Sequence, residues 1–224
     1  MSRFAISDIH GCLKTFKKLL QRIAFSKEDE LYLLGDYIDR GPDSRGVIYH
    51  IWDLKEKGYQ IHCLRGNHEQ MLLDAYSGGA YDSGVLHETL VSFNTTSVKH
   101  IPKPYIKWMK ELPYYFQLKD YILVHAGLNF HAEAPFEDKD EMIWIRRWYQ
   151  YIDKRFLGNR IIVHGHTPTP KLEIKKSIHQ LVATPAINID AGCVFQYTGL
   201  ANLCALNLDT KELIFEASVD VSSS

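Results

Sequence analysis

Phe4-Ala5-Ile6-Ser7-Asp8-Ile9-His10-Gly11 starts as an apolar run and turns polar at Ser7 and Asp8. Just beyond it, Leu13, Phe16, Leu19, Leu20 and Ile23 recur at the spacing of one helix face. A buried strand, a polar turn and a helix in that order open a strand–helix–strand unit. Working outward, Leu31–Leu34 and Ile61–Leu64 read as the next buried strands. Between them Val47, Ile48, Ile51, Trp52 and Leu54 predict a helix that ends before Gly58. Ile122–Val124, Ile161–Val163 and Ile187–Ile189 read as three further strands. Leu118–Asp120 predicts a hairpin turn, and Leu200–Leu206 followed by Leu213–Ala217 predicts a second meander. The expected architecture is α/β, parallel at its start and mixed or antiparallel in its second half.

The 224 residues show no linker and no internal repeat, so one domain spanning residues 1–224 is expected. Tyr76–Pro104 is punctuated by Gly78, Gly79, Gly84, Pro102 and Pro104 and reads as a surface insertion or lid. The tail, Val221-Ser222-Ser223-Ser224, reads as frayed. Lys and Arg total 26 against 27 Asp and Glu, a net charge of -1. Such a balance gives no electrostatic case for nucleic acid or an anionic membrane as partner. No apolar run approaches the ~20 residues that cross a bilayer. The opening residues are too soon polar for a signal peptide. Cys12, Cys63, Cys193 and Cys204 form no close CxxC pair and read as reduced, mostly buried thiols of a cytoplasmic protein. His62-Cys63 could open a cysteine-phosphatase loop, but Glu69 stands where that chemistry needs Arg.

Polar residues recur just past the strand ends. Asp8 and His10 follow the first, then Asp36, Asp39 and Arg40 the second, and Arg65, Asn67, His68 and Glu69 the third. His125 follows the fourth, His164 and His166 the fifth, and Asp190 the sixth. Each has an ordinary explanation alone. Asp43 or Ser44 could cap a helix, Asn67 could cap one with Gln70 as its partner, and His125 could be a satisfied core histidine. Together they send carboxylates and imidazoles to the carboxyl edge of a sheet, where α/β proteins bind ligands. Mixed Asp, Asn and His ligation suits Mn²⁺, Fe or Zn²⁺, and the donors are too many for a single tetrahedral ion. Two ions sharing a carboxylate fit.

Asp8-Ile9-His10-Gly11, Gly35-Asp36-Tyr37-Ile38-Asp39-Arg40-Gly41, Arg65-Gly66-Asn67-His68-Glu69, Val124-His125-Ala126-Gly127 and Gly165-His166-Thr167 occur in that order. This set resembles the PPP serine/threonine protein phosphatases of the calcineurin-like metallophosphoesterase superfamily, in their small bacterial and phage form. The resemblance implies two packed mixed sheets flanked by helices, in αββα layers. It implies a first metal on Asp8 and His10, a shared ligand in Asp36, and a second metal on Asn67, His125 and His166. Two divalent ions are implied, Mn²⁺ first and Fe or Zn²⁺ as alternatives. His68 would be the general acid, oriented and kept charged by Asp39. Arg40 would grip phosphate, with Asn67 also at the substrate. Ile143-Trp144-Ile145-Arg146 resembles a stretch of the small members that carries a further phosphate clamp, so Arg146 takes that role and Arg147 is the fallback. Asp190 would support the metals from behind. Ala126 departs from the usual His-Gly-Gly.

The resemblance implies phosphoserine and phosphothreonine hydrolysis, with phosphotyrosine and small esters as further substrates, by direct attack of metal-held hydroxide. A related reading is a symmetrical dinucleoside tetraphosphate hydrolase. That group typically carries Ala where Asp39 stands and Asp where Glu69 stands, so both positions favour the phosphatase. A non-catalytic phosphate-binding scaffold is a third reading, and no ligand is missing to support it. No oligomeric state follows from the sequence. For the pair around Gly165, His164 continues an apolar strand and reads as packed and hydrogen-bonded. His166 lies past the glycine and reads as the ligand.

Overall fold

The structure is a computed structural model and describes residues 1–80 and 84–220. In chain order its strands are β1 (Arg3–Ile6), β2 (Glu30–Leu33), β3 (Gln60–Cys63), β4 (Tyr115–Gln117), β5 (Tyr121–Val124), β6 (Ile161–His164), β7 (Ala186–Asn188), β8 (Asn202–Asn207) and β9 (Leu213–Ala217). The α-helices are α1 (Leu13–Arg22), α2 (Ser44–Glu56), α3 (Asn67–Ser77), α4 (His87–Ser92), α5 (Lys103–Glu111), α6 (Lys139–Trp144), α7 (Lys154–Leu157) and α8 (Lys171–Ser177). Five strands form one sheet in the order β3-β2-β1-β8-β9, and four form another in the order β4-β5-β6-β7. Strands β1, β2 and β3 are parallel, as are β5, β6 and β7; β4, β8 and β9 run antiparallel to their neighbours.

Side-chain alternation explains why the strands read as unbroken apolar runs. Phe4, Ile6, Leu31 and Leu33 face the helices on one side of the first sheet, while Ala5, Tyr32 and Leu34 face the second sheet. In the second sheet Leu123, Val163 and Ile187 face inward, and Ile122, Val124 and Ile162 face outward toward Met142, Trp148 and Leu157. Strands β1, β2, β5, β6 and β7 are buried on both faces, so their sequences need not alternate. The result is the layered helix–sheet–sheet–helix fold that was expected. Asp43 caps α2, its carboxylate accepting from Gly46 N at 2.8 Å.

The segment 76–104 departs from its reading as a surface insertion. Leu86, Leu90, Phe93, Val98 and Ile101 enter the same core as α1, α2 and α5. Its helical pieces are short, α4 stopping at Ser92 before Asn94 takes a left-handed φ and α5 starting only after Pro102, which hides the apolar period from a sequence window. Residues 81–83 of that segment, and the tail read as frayed, lie outside the described residues. Asn67 is also corrected as a cap. It is the first residue of α3, Gly66 stands at the cap position, and the Glu69 carboxylate accepts from Gly66 N at 2.9 Å. Gln70 instead accepts from Arg65 Nη1 at 2.9 Å.

Candidate metal centre

Two parallel triplets of strands, one in each sheet, deliver their carboxyl ends to one edge of the molecule. Asp8 hangs from β1, Asp36 and Asp39 from the loop after β2, and Asn67 and His68 from the turn after β3. From the second sheet come His125 after β5, His166 after β6 and Asp190 after β7. All are buried, between 0 and 6 % exposed. The two edges are stitched together. His166 N donates to Asp8 Oδ2 at 3.0 Å, and His125 Nδ1 donates to Leu34 O at 2.9 Å.

The backbone there is unusual. Among the described residues eleven non-glycine positions have φ in the left-handed region, and six of them are Asp8, His10, Asp36, Asp39, Arg40 and His166. Such conformations cost of order 1–3 kcal/mol each and persist where the surroundings enforce them. Gly165 shows why His166 follows a glycine. A Cβ at position 165 would overlap Ser7 Oγ and Asp8 Oδ2.

At one end of the site, Asp36, His125 and His166 can bring one donor atom each within 4.8 Å of one another. Asn67 Oδ1 lies between the imidazoles, 3.0 Å from His125 Nε2 and 2.9 Å from His166 Nδ1, and Asp36 Oδ1 is 3.5 Å from His125 Nε2. Because His125 spends its Nδ1 proton on Leu34 O, its Nε2 is a bare lone pair facing two oxygens. The lone pairs of His125 Nε2, Asn67 Oδ1 and Asp36 Oδ1 converge there, and His166 Nε2 is buried without a partner. A cation satisfies such a set, so these residues fit the metal that the donor chemistry implies.

At the other end, His10 Nδ1 donates to Ile38 O at 2.8 Å, which leaves Nε2 as acceptor. That nitrogen lies 3.4 Å from Asp36 Oδ2 and 3.9 Å from Asp8 Oδ1. Asp36 thus faces both groups. Its carboxyl is pushed up by burial and by the Asp8 and Glu69 charges, the condition a divalent cation would relieve. Asp190 is pushed up by burial and then by Asp8, and its Oδ1 accepts from Gly192 N at 2.9 Å. Burial drives His10, His125 and His166 down, so all three stay neutral and able to coordinate. Arg40 stands at the rim, Nη1 3.0 Å from His10 Nε2 and its guanidinium 5.2 Å from the Phe195 ring centre.

His68 Nδ1 and Asp39 Oδ2 are 2.7 Å apart, the pairing that was expected. Its charge state differs from expectation. Burial, then Arg40 and His125, lower His68 to about 3, and burial raises Asp39 to about 7. Asp39 therefore orients the ring without keeping it charged. Two residues outside the expected site hold this pair. Thr89 Oγ1 donates to Asp39 Oδ1, and Thr89 Oγ1 and Ser44 Oγ accept from Asp39 N at 2.9 and 3.0 Å. Glu69 takes Asp36 N and Gly66 N on one oxygen, both at 2.9 Å, and Tyr37 N on the other at 2.8 Å. A single carboxylate thereby fixes the loop that presents Asp36. No local signature marks Thr89, whereas Glu69 was visible as part of its motif without its role.

Arg146 is exposed and its Nη1 donates to Thr167 Oγ1 at 3.0 Å, beside His166. Its charge is felt by His125 and His166. Arg147 has no hydrogen bond or ion pair among the described residues. Arg65 is structural, donating to Gln70 Oε1, Tyr114 OH and Lys110 O at 2.9, 2.9 and 2.6 Å. His164 turns away from the donor cluster, its Nε2 accepting from Tyr149 OH at 2.6 Å and its Nδ1 donating to Gly165 O at 3.0 Å.

A profile of the calcineurin-like phosphoesterases matches residues 1–203. The chain belongs to that family. Among relatives of this phosphoesterase, the asymmetrical bis(5'-nucleosyl)-tetraphosphatase of Oceanobacillus iheyensis is 28 % identical, matching 95 % of this chain and 91 % of its own length. The symmetrical bis(5'-nucleosyl)-tetraphosphatase of Wigglesworthia glossinidia brevipalpis is 35 % identical over 57 % of this chain and 45 % of its own. The chain thus spans under half of that symmetrical relative. Among solved structures, a protein provisionally described as a diadenosine tetraphosphatase superposes with a TM-score of 0.70 at 22 % identity, covering 98 % of this chain and 94 % of that one. A serine/threonine phosphatase of Saccharomyces cerevisiae gives 0.68 at 16 % identity, covering 100 % and 81 %. These two likenesses concern the fold alone. The curated relatives carry tetraphosphatase names, which shifts the weight away from the protein phosphatase expected from the motifs.

Proposed function

We propose that this phosphoesterase hydrolyses bis(5'-nucleosyl) tetraphosphates at a dinuclear metal centre formed by Asp8, His10, Asp36, Asn67, His125 and His166. The relative that matches 95 % of the chain, itself a tetraphosphatase, carries the substrate class. The converging lone pairs around Asp36 and Asn67 support the metals, with Mn²⁺ first and Fe or Zn²⁺ as alternatives. Divalent ions held there would supply a nucleophile at neutral pH and neutralise phosphate charge. The chain's own groups do the rest. Arg40 and Arg146 stand at the rim and offer charge-assisted bonds to phosphate oxygens, where transition-state charge spreads. Asn67 fixes the donor cluster and faces the same space. His68, oriented through Nδ1 by Asp39, keeps Nε2 free to exchange a proton with the reacting oxygens.

Asp39 and Glu69 speak against the symmetrical hydrolases only, and the Oceanobacillus iheyensis relative, matched over 91 % of its length, is an asymmetrical one. Hydrolysis of phosphoserine or phosphothreonine monoesters is the second reading, favoured by one observation. Asp39 and Glu69 stand where the phosphatase motif has them, and the fold uses both, Asp39 paired with His68 Nδ1 and Glu69 accepting from three backbone donors. The four cysteines are free and buried, in keeping with a reducing, cytoplasmic setting. Among the described residues no helix is long and apolar enough to cross a membrane. The purified protein, given Mn²⁺, is assayed on bis(5'-adenosyl) tetraphosphate, a phosphothreonine peptide and p-nitrophenyl phosphate. The proposal expects kcat/KM on the tetraphosphate to exceed that on the peptide by roughly tenfold or more. The reverse order establishes the second reading instead.

A further inference from the structure

A cavity of about 620 Å³ lies at the carboxyl ends of β6 and β7, beside the metal-donor edge, with Tyr149, His164, Ser177, Gln180 and Asn188 in its lining. Its size falls within the range of small-molecule sites, roughly 300–1,000 Å³. Three observations tie it to the phosphate-binding rim. First, Arg146 and Thr167 belong to its border and are joined by a 3.0 Å bond. Thr167 directly follows His166, so the cavity begins where the proposed phosphate clamp ends.

Second, His164 is a buried histidine that the metal centre does not use, 4 % exposed at the end of β6. Both ring nitrogens are occupied, one by the Tyr149 hydroxyl at 2.6 Å and one by Gly165 O at 3.0 Å. Tyr149 is 38 % exposed and starts a three-residue turn, Tyr149–Tyr151. The bond to His164 anchors its ring as a wall. Third, Trp148 backs that wall. Its ring meets Tyr149 edge-on at 4.8 Å between centroids, and its Nε1 donates to Ala126 O at 3.0 Å. A rigid aromatic face, the side-chain amide of Gln180 and a neighbouring guanidinium together suit a flat heteroaromatic group attached to a phosphate chain.

We infer that this cavity receives the nucleoside of a 5'-nucleotide whose phosphates lie on Arg146 and the metal-donor edge. The inference rests on the tetraphosphate reading and adds where one nucleoside is held and what holds it. His164 is then a positioning residue, acting through Tyr149.

The test uses inhibition of p-nitrophenyl phosphate hydrolysis by ATP and by inorganic tripolyphosphate at matched free Mn²⁺. The wild-type protein is expected to bind ATP about tenfold more tightly than tripolyphosphate, the gain from one stacked base. Gln180→Trp fills the cavity and Tyr149→Ala removes its wall, so each should bring the ratio of the two inhibition constants toward one. Equal inhibition of the wild type by the two anions overturns the inference, as does a ratio that survives both variants. A phosphothreonine peptide that loses affinity in Gln180→Trp while ATP does not would reassign the cavity to peptide and equally overturn it. Turnover of bis(5'-adenosyl) tetraphosphate is followed in parallel. A protein that prefers ATP yet leaves the tetraphosphate intact refutes the substrate reading and keeps the cavity, whereas one that cleaves it without that preference refutes the cavity alone.

Discussion

Replacing Thr89 by valine removes one hydroxyl from a fully buried position and keeps the side chain's shape. Asp39 Oδ1 then loses the Thr89 donor, while Asp39 N keeps Ser44 Oγ at 3.0 Å. One buried acceptor is left unsatisfied and the backbone donor is not. A lost hydrogen bond to a buried charged group costs about 1.5–3 kcal/mol. For a chain of this length that lowers the melting temperature by roughly 3–12 °C. The chemistry should respond as well. Burial raises Asp39 to about 7 and the Thr89 bond opposes that rise. Removing the donor disfavours the carboxylate, so the pKa climbs further and a larger share of Asp39 is protonated at neutral pH. If activity needs ionised Asp39 to orient His68, the acidic limb of kcat/KM moves to higher pH. Thr89→Ser, which restores the hydroxyl, should return the limb to its wild-type place. The assays are thermal melting and the pH profile of kcat/KM on p-nitrophenyl phosphate. A Thr89→Val protein with an unshifted acidic limb and a melting point within about 1 °C of wild type would refute the reasoning.

Chelation should abolish turnover and Mn²⁺ should restore it; full activity in metal-stripped protein defeats the dinuclear mechanism. His166→Ala should bring bound metal toward one ion per chain by elemental analysis, whereas His164→Ala should keep both ions and lose stability, and the opposite pattern reverses the assignment. Arg146→Ala should raise KM or lower kcat by roughly 10²-fold with metal content intact, and an unchanged kcat/KM passes the role to Arg147 or removes it. Gly165→Ala places a methyl against Ser7 Oγ and Asp8 Oδ2, so it should lower both melting temperature and metal content; a stable, fully metallated variant would show that this close approach is not required.

The fold class and the grouping of candidate donors at one edge were legible because they depend on short-range pattern. A strand buried on both faces must be apolar throughout its few residues, and a helix packed on one side must repeat near every fourth residue, so Phe4–Ile6 and Leu13–Ile23 declare themselves locally. Parallel strands all finish at one edge, so polar residues just past their ends, from Asp8 to His166, could be grouped before any contact was known. Tertiary structure alone decided the rest. It turned the 76–104 segment inward, and so brought Thr89 to an Asp39 carboxylate fifty residues away in sequence. It made Glu69 the acceptor of three backbone donors, and it separated His166, beside Asn67, from His164, beside Tyr149. Periodicity could not separate those histidines, since residues two apart on an extended chain share a side. The left-handed turn at His166 and the close approach of Gly165 to the Ser7–Asp8 turn separate them, and both depend on how the second sheet packs against the first.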